Sequence, residues 1–424
     1  MHIGDYCLLF IKVEGRRLKG FVLIPFYFHP SPFKISKEKI MKKVERNISL
    51  IRWISITQGL VFVAPVMVLY FGSRGLELSQ ILMLQFVFSI LSMVFEFPSG
   101  YISDKLGRKK TSIAAYTVLV LAFWLFLNGN SFNTFAFAEL IFALGYALIS
   151  GTLSSLLYES LKALGKESEY SKVYGDINHK TLLAVAFAGI SGGLIAKYLS
   201  LNATVVATLI AFIGSFVLSL FLKEVNGANK RALKEDIKDF SLVLKSKELI
   251  GVTLFVAIIF AFNQVAFWYY QPYFKAIGVD LAYFGILFAL MQVVASFGSK
   301  YANAIMHRFS KEQIFIAVAV AILVSLVGMG WFFSYFGIVF IYLQQIVRGV
   351  FMIFISEYIQ KNASSELRAT TVSFITLVKQ LFYAANLYIF VELSKSVGLE
   401  HIYLIMAALL ALLLVVFVGL KRVF

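Results

Sequence analysis

The sequence predicts an all-α, polytopic membrane protein with twelve transmembrane helices in two pseudo-symmetric six-helix halves. Three observations predict it: a composition too apolar for water, apolar runs of bilayer length, and a one-sided distribution of lysine and arginine. Of 424 residues, 60% are hydrophobic and 15% charged, and the mean hydropathy is +0.82. That is more apolar surface than a soluble core can hide. Backbone groups cannot be left unpaired in lipid, so each run must be helical, and the runs lack the period-two alternation of a membrane β-barrel.

A crossing of the hydrocarbon core takes about 20 apolar residues. Runs of that length fall at 48–71, 78–103, 111–128, 134–158, 177–199 and 202–222, which make a first half of residues 48–222. A polar connector, 223–248, follows. Runs at 249–274, 281–304, 312–333, 336–359, 367–393 and 399–420 then repeat the count in a second half, 249–424. With the N-terminus in the cytoplasm, the loops on that side hold Lys105, Arg108, Lys109, Lys110, Lys162, Lys166, Lys172, Lys180, Lys300, Arg308, Lys311, Lys361 and Arg368, and the connector adds more. The opposite loops hold only Arg74, Lys197, Lys275 and Lys395. Cytoplasmic loops are enriched in lysine and arginine, so both termini are expected in the cytoplasm and the chain in the plasma membrane. The net charge of +16 is then a mark of topology, and no nucleic acid partner is expected.

Residues 1–47 are basic, with one short apolar stretch at 21–28 that cannot span a bilayer and lacks the small-residue cleavage site of a secretory signal. They read either as a basic cytoplasmic segment or as an over-extension ahead of a start at Met41. Cys7 is the single cysteine, so no disulfide or cysteine metal site is available within one chain. His2, His29, His179, His307 and His401 are scattered, and no metal or cofactor is expected. The chain lacks a Gly, four residues, Gly-Lys-Ser/Thr phosphate loop, which argues against an ATP-driven pump. It lacks clustered catalytic groups too, which argues against an enzyme.

Between the second and third runs stands Gly100-Tyr-Ile-Ser-Asp104-Lys-Leu-Gly107-Arg108-Lys109-Lys110. Gly100 permits close helix approach and Gly107 a tight turn. Asp104 suits a helix N-terminus, with 365–370 at the start of the eleventh run as its expected dock, and Arg108 suits an acid from another span. At these residues the chain resembles the major facilitator superfamily, whose loop between the second and third spans carries this pattern. The resemblance extends from about Ile48 to Leu420 through span count, topology and connector. It implies two six-helix halves around a central cavity, alternating access, and a substrate site near mid-membrane.

A degenerate echo of that loop runs from Gly298 to Lys311, without the aspartate and the second glycine. Arg108 precedes Glu159 much as Arg308 precedes Glu357, so Arg108–Glu159 and Arg308–Glu357 are expected as pseudo-symmetric gate pairs. In the fifth run, Ala188-Gly189-Ile-Ser-Gly192-Gly193 is a partial form of the family's exporter pattern. It lacks the proline and also suits plain helix packing. The arginine that many family exporters place in the fourth span is absent, and Glu139 is what that span offers.

An ionisable group near the bilayer centre costs about 2.5–3.5 kcal/mol on insertion scales, so it tends to face a cavity or a partner. Arg348 lies deep in the tenth run and Lys379 in the eleventh. Arg348 reads equally as a cavity group or as a structural ion pair with Glu96 or Glu357. Gln58, Asn263, Gln264, Gln292, Gln345, Tyr383 and Asn386 complete the candidate cavity. Trp268, Tyr269, Tyr270 and Tyr273 read as an interfacial aromatic belt, while Pro65 and Pro272 are expected to loosen their helices. Proton coupling needs a carboxyl group whose surroundings change as access switches, and Glu139 and Glu96 are the candidates.

These readings combine into a secondary active transporter working by alternating access, a proton-coupled exporter of small organic or amphipathic solutes. A passive facilitator or importer of a small metabolite is the contrasting transporter class, and a non-transporting membrane interaction protein the contrasting class outside transport. The expected partners are a small-molecule substrate, protons and membrane lipids, with the chain working as a monomer.

Overall fold

The computed structural model describes residues 32–225, 246–362 and 368–423. Among the described residues there are twelve helical spans long and apolar enough to cross a bilayer, and no strand. The first six are Met41–Ser73, Leu78–Glu96, Arg108–Asn128, Phe132–Ala163, Glu167–Tyr198 and Leu201–Leu220. The second six are Lys247–Ala276, Leu281–Arg308, Lys311–Trp331, Tyr335–Ile359, Thr371–Leu393 and Leu399–Gly419. Local chemistry sets several of their starts: Ser131, Ser200, Ser246, Asp280 and Ser310 each accept a bond from a free N–H of the first helical turn. An even number of crossings brings the start of the first span, the end of the twelfth and residues 100–110 to one face, the proximal face. The other is the distal face.

Two apolar clusters form the interior. One draws on residues from Leu50 to Leu222, and the other mainly on residues from Val252 to Leu410. Large apolar side chains such as Trp124, Phe187, Ile316 and Val415 stand exposed on the perimeter, where lipid is their solvent.

Several expectations change here. Residues 1–31 lie outside the described residues, but the first helix begins at Pro32, so the last part of the expected N-terminal segment belongs to the first span. That span is also interrupted: a helix Pro32–Gly59 gives way to a short 3-10 turn, Ala64–Val66, and then to Met67–Ser73. Pro65 cannot donate a backbone bond, and the groups freed at the break find partners elsewhere. Val63 N–H donates to Thr208 Oγ1 at 3.2 Å, while Gln271 accepts from Val68 N–H at 2.9 Å and donates to the Ala64 carbonyl at 3.1 Å. Pro272, by contrast, sits inside the continuous helix Lys247–Ala276.

The expected loop at 100–110 is mostly helix. Leu78–Leu106 ends at Gly107, whose φ of +91° makes the whole turn, and a new helix starts at Arg108. The echo from Gly298 lies inside the helix Leu281–Arg308, with Gly298 pressed against the backbone of Ile346 and Gly349. The expected aromatic belt is interior packing instead: Tyr269, Tyr270 and Tyr273 are all buried. Their hydroxyls are satisfied inside, Tyr269 on the Phe390 carbonyl, Tyr270 on Gln344, and Tyr273 on the Phe332 and Ser334 carbonyls, so the rings need no interface water.

Candidate functional site

On the proximal face, the helix that starts at Arg108 presents unpaired amides. The Glu224 carboxylate, just past the sixth span, accepts from Arg108 N–H at 2.8 Å and Lys109 N–H at 3.0 Å. An acid at a helix N-terminus is favoured by both hydrogen bonding and the helix dipole. Gly107 makes this possible, because a Cβ there would lie 2.6 Å from a Glu224 oxygen. The Arg108 side chain pairs with Glu159 at 3.3 Å and donates to Ser103 Oγ at 2.7 Å. Asn47 closes the cluster, donating to Ser160 at 3.0 Å and to the Lys223 carbonyl at 2.9 Å while accepting from Lys223 N–H. Sequence reasoning finds Arg108 and Glu159 but misses Glu224 and Asn47.

The other members of the expected gate are placed differently. Among the described residues nothing lies within 4 Å of where a Cβ on Gly100 would go. The Asp104 side chain, residues 365–367 of its expected dock and the side chains of 368–370 lie outside the described residues. Among the described contacts no ion pair joins Arg308 to Glu357: Arg308 is the last residue of its helix and lies on the exposed rim, 6.0 Å from the Phe309 ring, and Glu357 is half-buried on the tenth span.

Deeper in the bundle, the seventh, tenth and eleventh spans enclose a cavity of about 40 Å³. Asn263, Arg348 and Lys379 supply its polar groups, and Val256, Ile259, Phe260, Val347, Phe351 and Ile355 its apolar wall. Arg348 donates to Gln292 Oε1 at 2.8 Å, and the Lys379 ammonium lies 4.5 Å from the centre of the Phe260 ring. Arg348 thus has an amide as its partner and not Glu96 or Glu357. Around it, Asn263 donates to Gln344 at 3.4 Å and Tyr270 to the same oxygen at 2.6 Å. Gln345 Nε2 reaches the Tyr270 hydroxyl at 3.5 Å, and its own carbonyl oxygen is buried without a partner.

The remaining candidates scatter. Gln58 accepts from Tyr116 at 2.8 Å inside the first half, Gln264 is half-buried, and Asn386 is buried along the eleventh span. Tyr383 accepts from the Trp268 indole at 2.8 Å. Glu139 is 2% exposed, and its contact is a 3.3 Å bond from Gln85. Glu96 stands exposed on the second span.

On the distal side the two halves are locked together. Gly192 touches the Phe62 backbone, and a Cβ on Gly193 would lie 2.8 Å from the Gly285 backbone nitrogen, so no side chain fits between the fifth and eighth spans. The glycine pattern of the fifth span is therefore spent on packing. Lys197 pairs with Asp280 at the distal rim, Gln271 stitches the seventh span to the break in the first, and Ser89 meets Gln380 at 3.2 Å nearer mid-depth. The Lys197 hydrogen bond, with help from Ala282 N–H, holds the Asp280 carboxyl below the usual carboxylate range.

Comparison with known proteins bears on this arrangement. Residues 50–386 match the family model described as Major Facilitator Superfamily. The Uncharacterized MFS-type transporter YxaM of Bacillus subtilis (strain 168) is 26% identical over 248 residues, which are 54% of this chain and 58% of that relative, so the likeness spans little more than half of its length. Among solved structures, the nucleoside transporter NupG is similar with a TM-score of 0.76 at 14% identity, covering 89% of this chain and 99% of that one. A D-xylose-proton symporter is similar with a TM-score of 0.66 at 12% identity, covering 88% and 97%.

Proposed function

The chain belongs to the major facilitator superfamily, and from that premise we propose that it is a proton-coupled secondary transporter of small organic solutes with Glu139 as the proton carrier. The family and fold make it a membrane transporter and not an enzyme. The observation that carries the coupling is the place of Glu139: a carboxyl group with an amide and no cation beside it, under the distal closure. Opening the distal side hydrates that pocket and closing it dries it, which is the change a proton site needs in order to load on one side and unload on the other.

In this reading the termini are cytoplasmic and the structure is in its distally closed state. Arg108, Glu159 and Glu224 hold the proximal ends of the first half as one rigid piece while the halves rock. The lysine and arginine asymmetry supports the orientation, and a reporter fused after Phe424 that is found outside the cell overturns it. The export expected from sequence loses its one motif, since Gly189, Gly192 and Gly193 serve packing. Counterflow in proteoliposomes under imposed pH gradients tests coupling and direction together. Solute gathered on the acidic side marks exchange, and solute gathered on the alkaline side marks symport. Glu139→Gln is expected to abolish accumulation while leaving gradient-free counterflow, and an unchanged response to pH in that variant refutes the role.

A further inference from the structure

We infer that the transported solute is a small organic anion, a carboxylate, phosphate ester or sulfonate on an apolar body, whose charged head seats between Arg348 and Lys379. This rests on the transporter reading and narrows it. Two cations, on adjacent spans, line the same cavity. Among the described residues neither forms an ion pair: Arg348 is held by the Gln292 amide, and Lys379 lies over the Phe260 ring. The lining contains no carboxylate. Glu96, on the second span, is the acid whose charge reaches Lys379, yet the two make no ion pair.

Cations removed from water cost free energy unless an anion compensates them. Structural lysines and arginines in a bilayer recover that cost from a fixed acid. Here the compensation is left to neutral groups, so the site keeps a positive potential focused by low-dielectric walls. Arg348 offers a planar fork suited to two anionic oxygens, Lys379 a point charge, and Asn263 a neutral donor. The volume, about 40 Å³, has room for roughly two or three waters. It therefore fits a carboxylate-sized head and not a whole solute, with Ile259, Phe260 and Phe351 left to meet the apolar body.

The test uses matched pairs that differ only in charge: benzoate with benzamide, hexanoate with hexanamide, and phenyl phosphate with phenol. Each is added to the purified full-length protein, and thermal unfolding is followed. Anions are expected to raise Tm by a few degrees at concentrations well above Kd, with the neutral partners inert. Arg348→Gln and Lys379→Gln are each expected to weaken anion binding at least about ten-fold, and Lys379→Arg to restore part of it. The wild-type pairs alone decide the case if a variant does not fold. Equal stabilisation by the neutral partners, or by phosphatidylglycerol in nanodiscs with every soluble anion inert, overturns the anion assignment. Counterflow of a neutral solute would then leave the transporter reading standing. No shift and no counterflow with any compound would remove both.

Discussion

Gly107 meets two demands at once. Its φ of +91° lies in a region that side chains resist, and the space where a Cβ would go is filled by the Glu224 carboxylate. A residue forced into such a backbone costs on the order of 1–3 kcal/mol. Gly107→Ala is therefore expected to lower Tm and to loosen the Glu224 cap, read as faster hydrogen exchange at Arg108 and Lys109. Gly100→Ala, whose added methyl meets no described atom within 4 Å, is the control and is expected to be silent. The pair Arg108–Glu159 is readable from sequence because both residues fall at the same end of long apolar runs. Glu224 is not, since one acid among several in a polar connector looks solvated. For the expected pair Arg308–Glu357 no contact is among the described ones, and Arg308 stands at the exposed end of its helix.

At the scale of elements, the twelve apolar runs fix the helices, and what they hide is where the helices break. The first span is interrupted between Gly59 and Met67, and the fourth at Ser150–Gly151, where Gly151 has a φ of +72°. Both breaks lie inside apolar runs of bilayer length, and the partners that make the first one tolerable, Thr208 and Gln271, come from remote spans. The cavity is only partly readable in the same way. Arg348, Lys379 and Asn263 stand out as polar groups in apolar runs, but Gln58 and Asn386 stand out equally and lie elsewhere. The Glu224 cap makes a separate prediction about an element. Glu224→Gln keeps an acceptor but loses the charge, and should cost about 0.3–1 kcal/mol; Glu224→Ala loses both and should cost about 0.5–2 kcal/mol. Chemical denaturation of the solubilised protein would check the order, and a Glu224→Gln variant as stable as the wild type would exclude a charged cap.

At the scale of the molecule, the distal closure joins the halves through glycine packing and a rim ion pair between Lys197 and Asp280. If the pair biases the closed state, Lys197→Asp should raise the labelling of a cysteine placed at Ser89, in a background with Cys7 replaced. The swapped pair, Lys197→Asp with Asp280→Lys, should bring labelling back down; no recovery in the swap would show that the pair is incidental. The pH dependence has a defined sign. Asp280 is lowered from the ordinary value of 3.8, so the latch is fully present above that pH and is lost as pH falls through the lowered value. The latch should therefore add no change of its own from pH 8 to 5 and weaken only below about pH 3.8, read as labelling relative to a cysteine exposed in both states, because the thiolate fraction itself falls with pH.

The amide of Gln271 binds both the Val68 N–H and the Ala64 carbonyl at the break in the first span. When the halves part on the distal side, that amide leaves with the seventh span. Two backbone groups, which would be each other's partners in an unbroken helix and are kept apart by the 3-10 turn Ala64–Val66, are then bare. Lipid cannot solvate them. Water entering the opening cavity is what remains. Distal opening in this protein is therefore a wetting transition as much as a rotation, and solutes excluded from the cavity, by drawing water out of it, should hold the molecule shut.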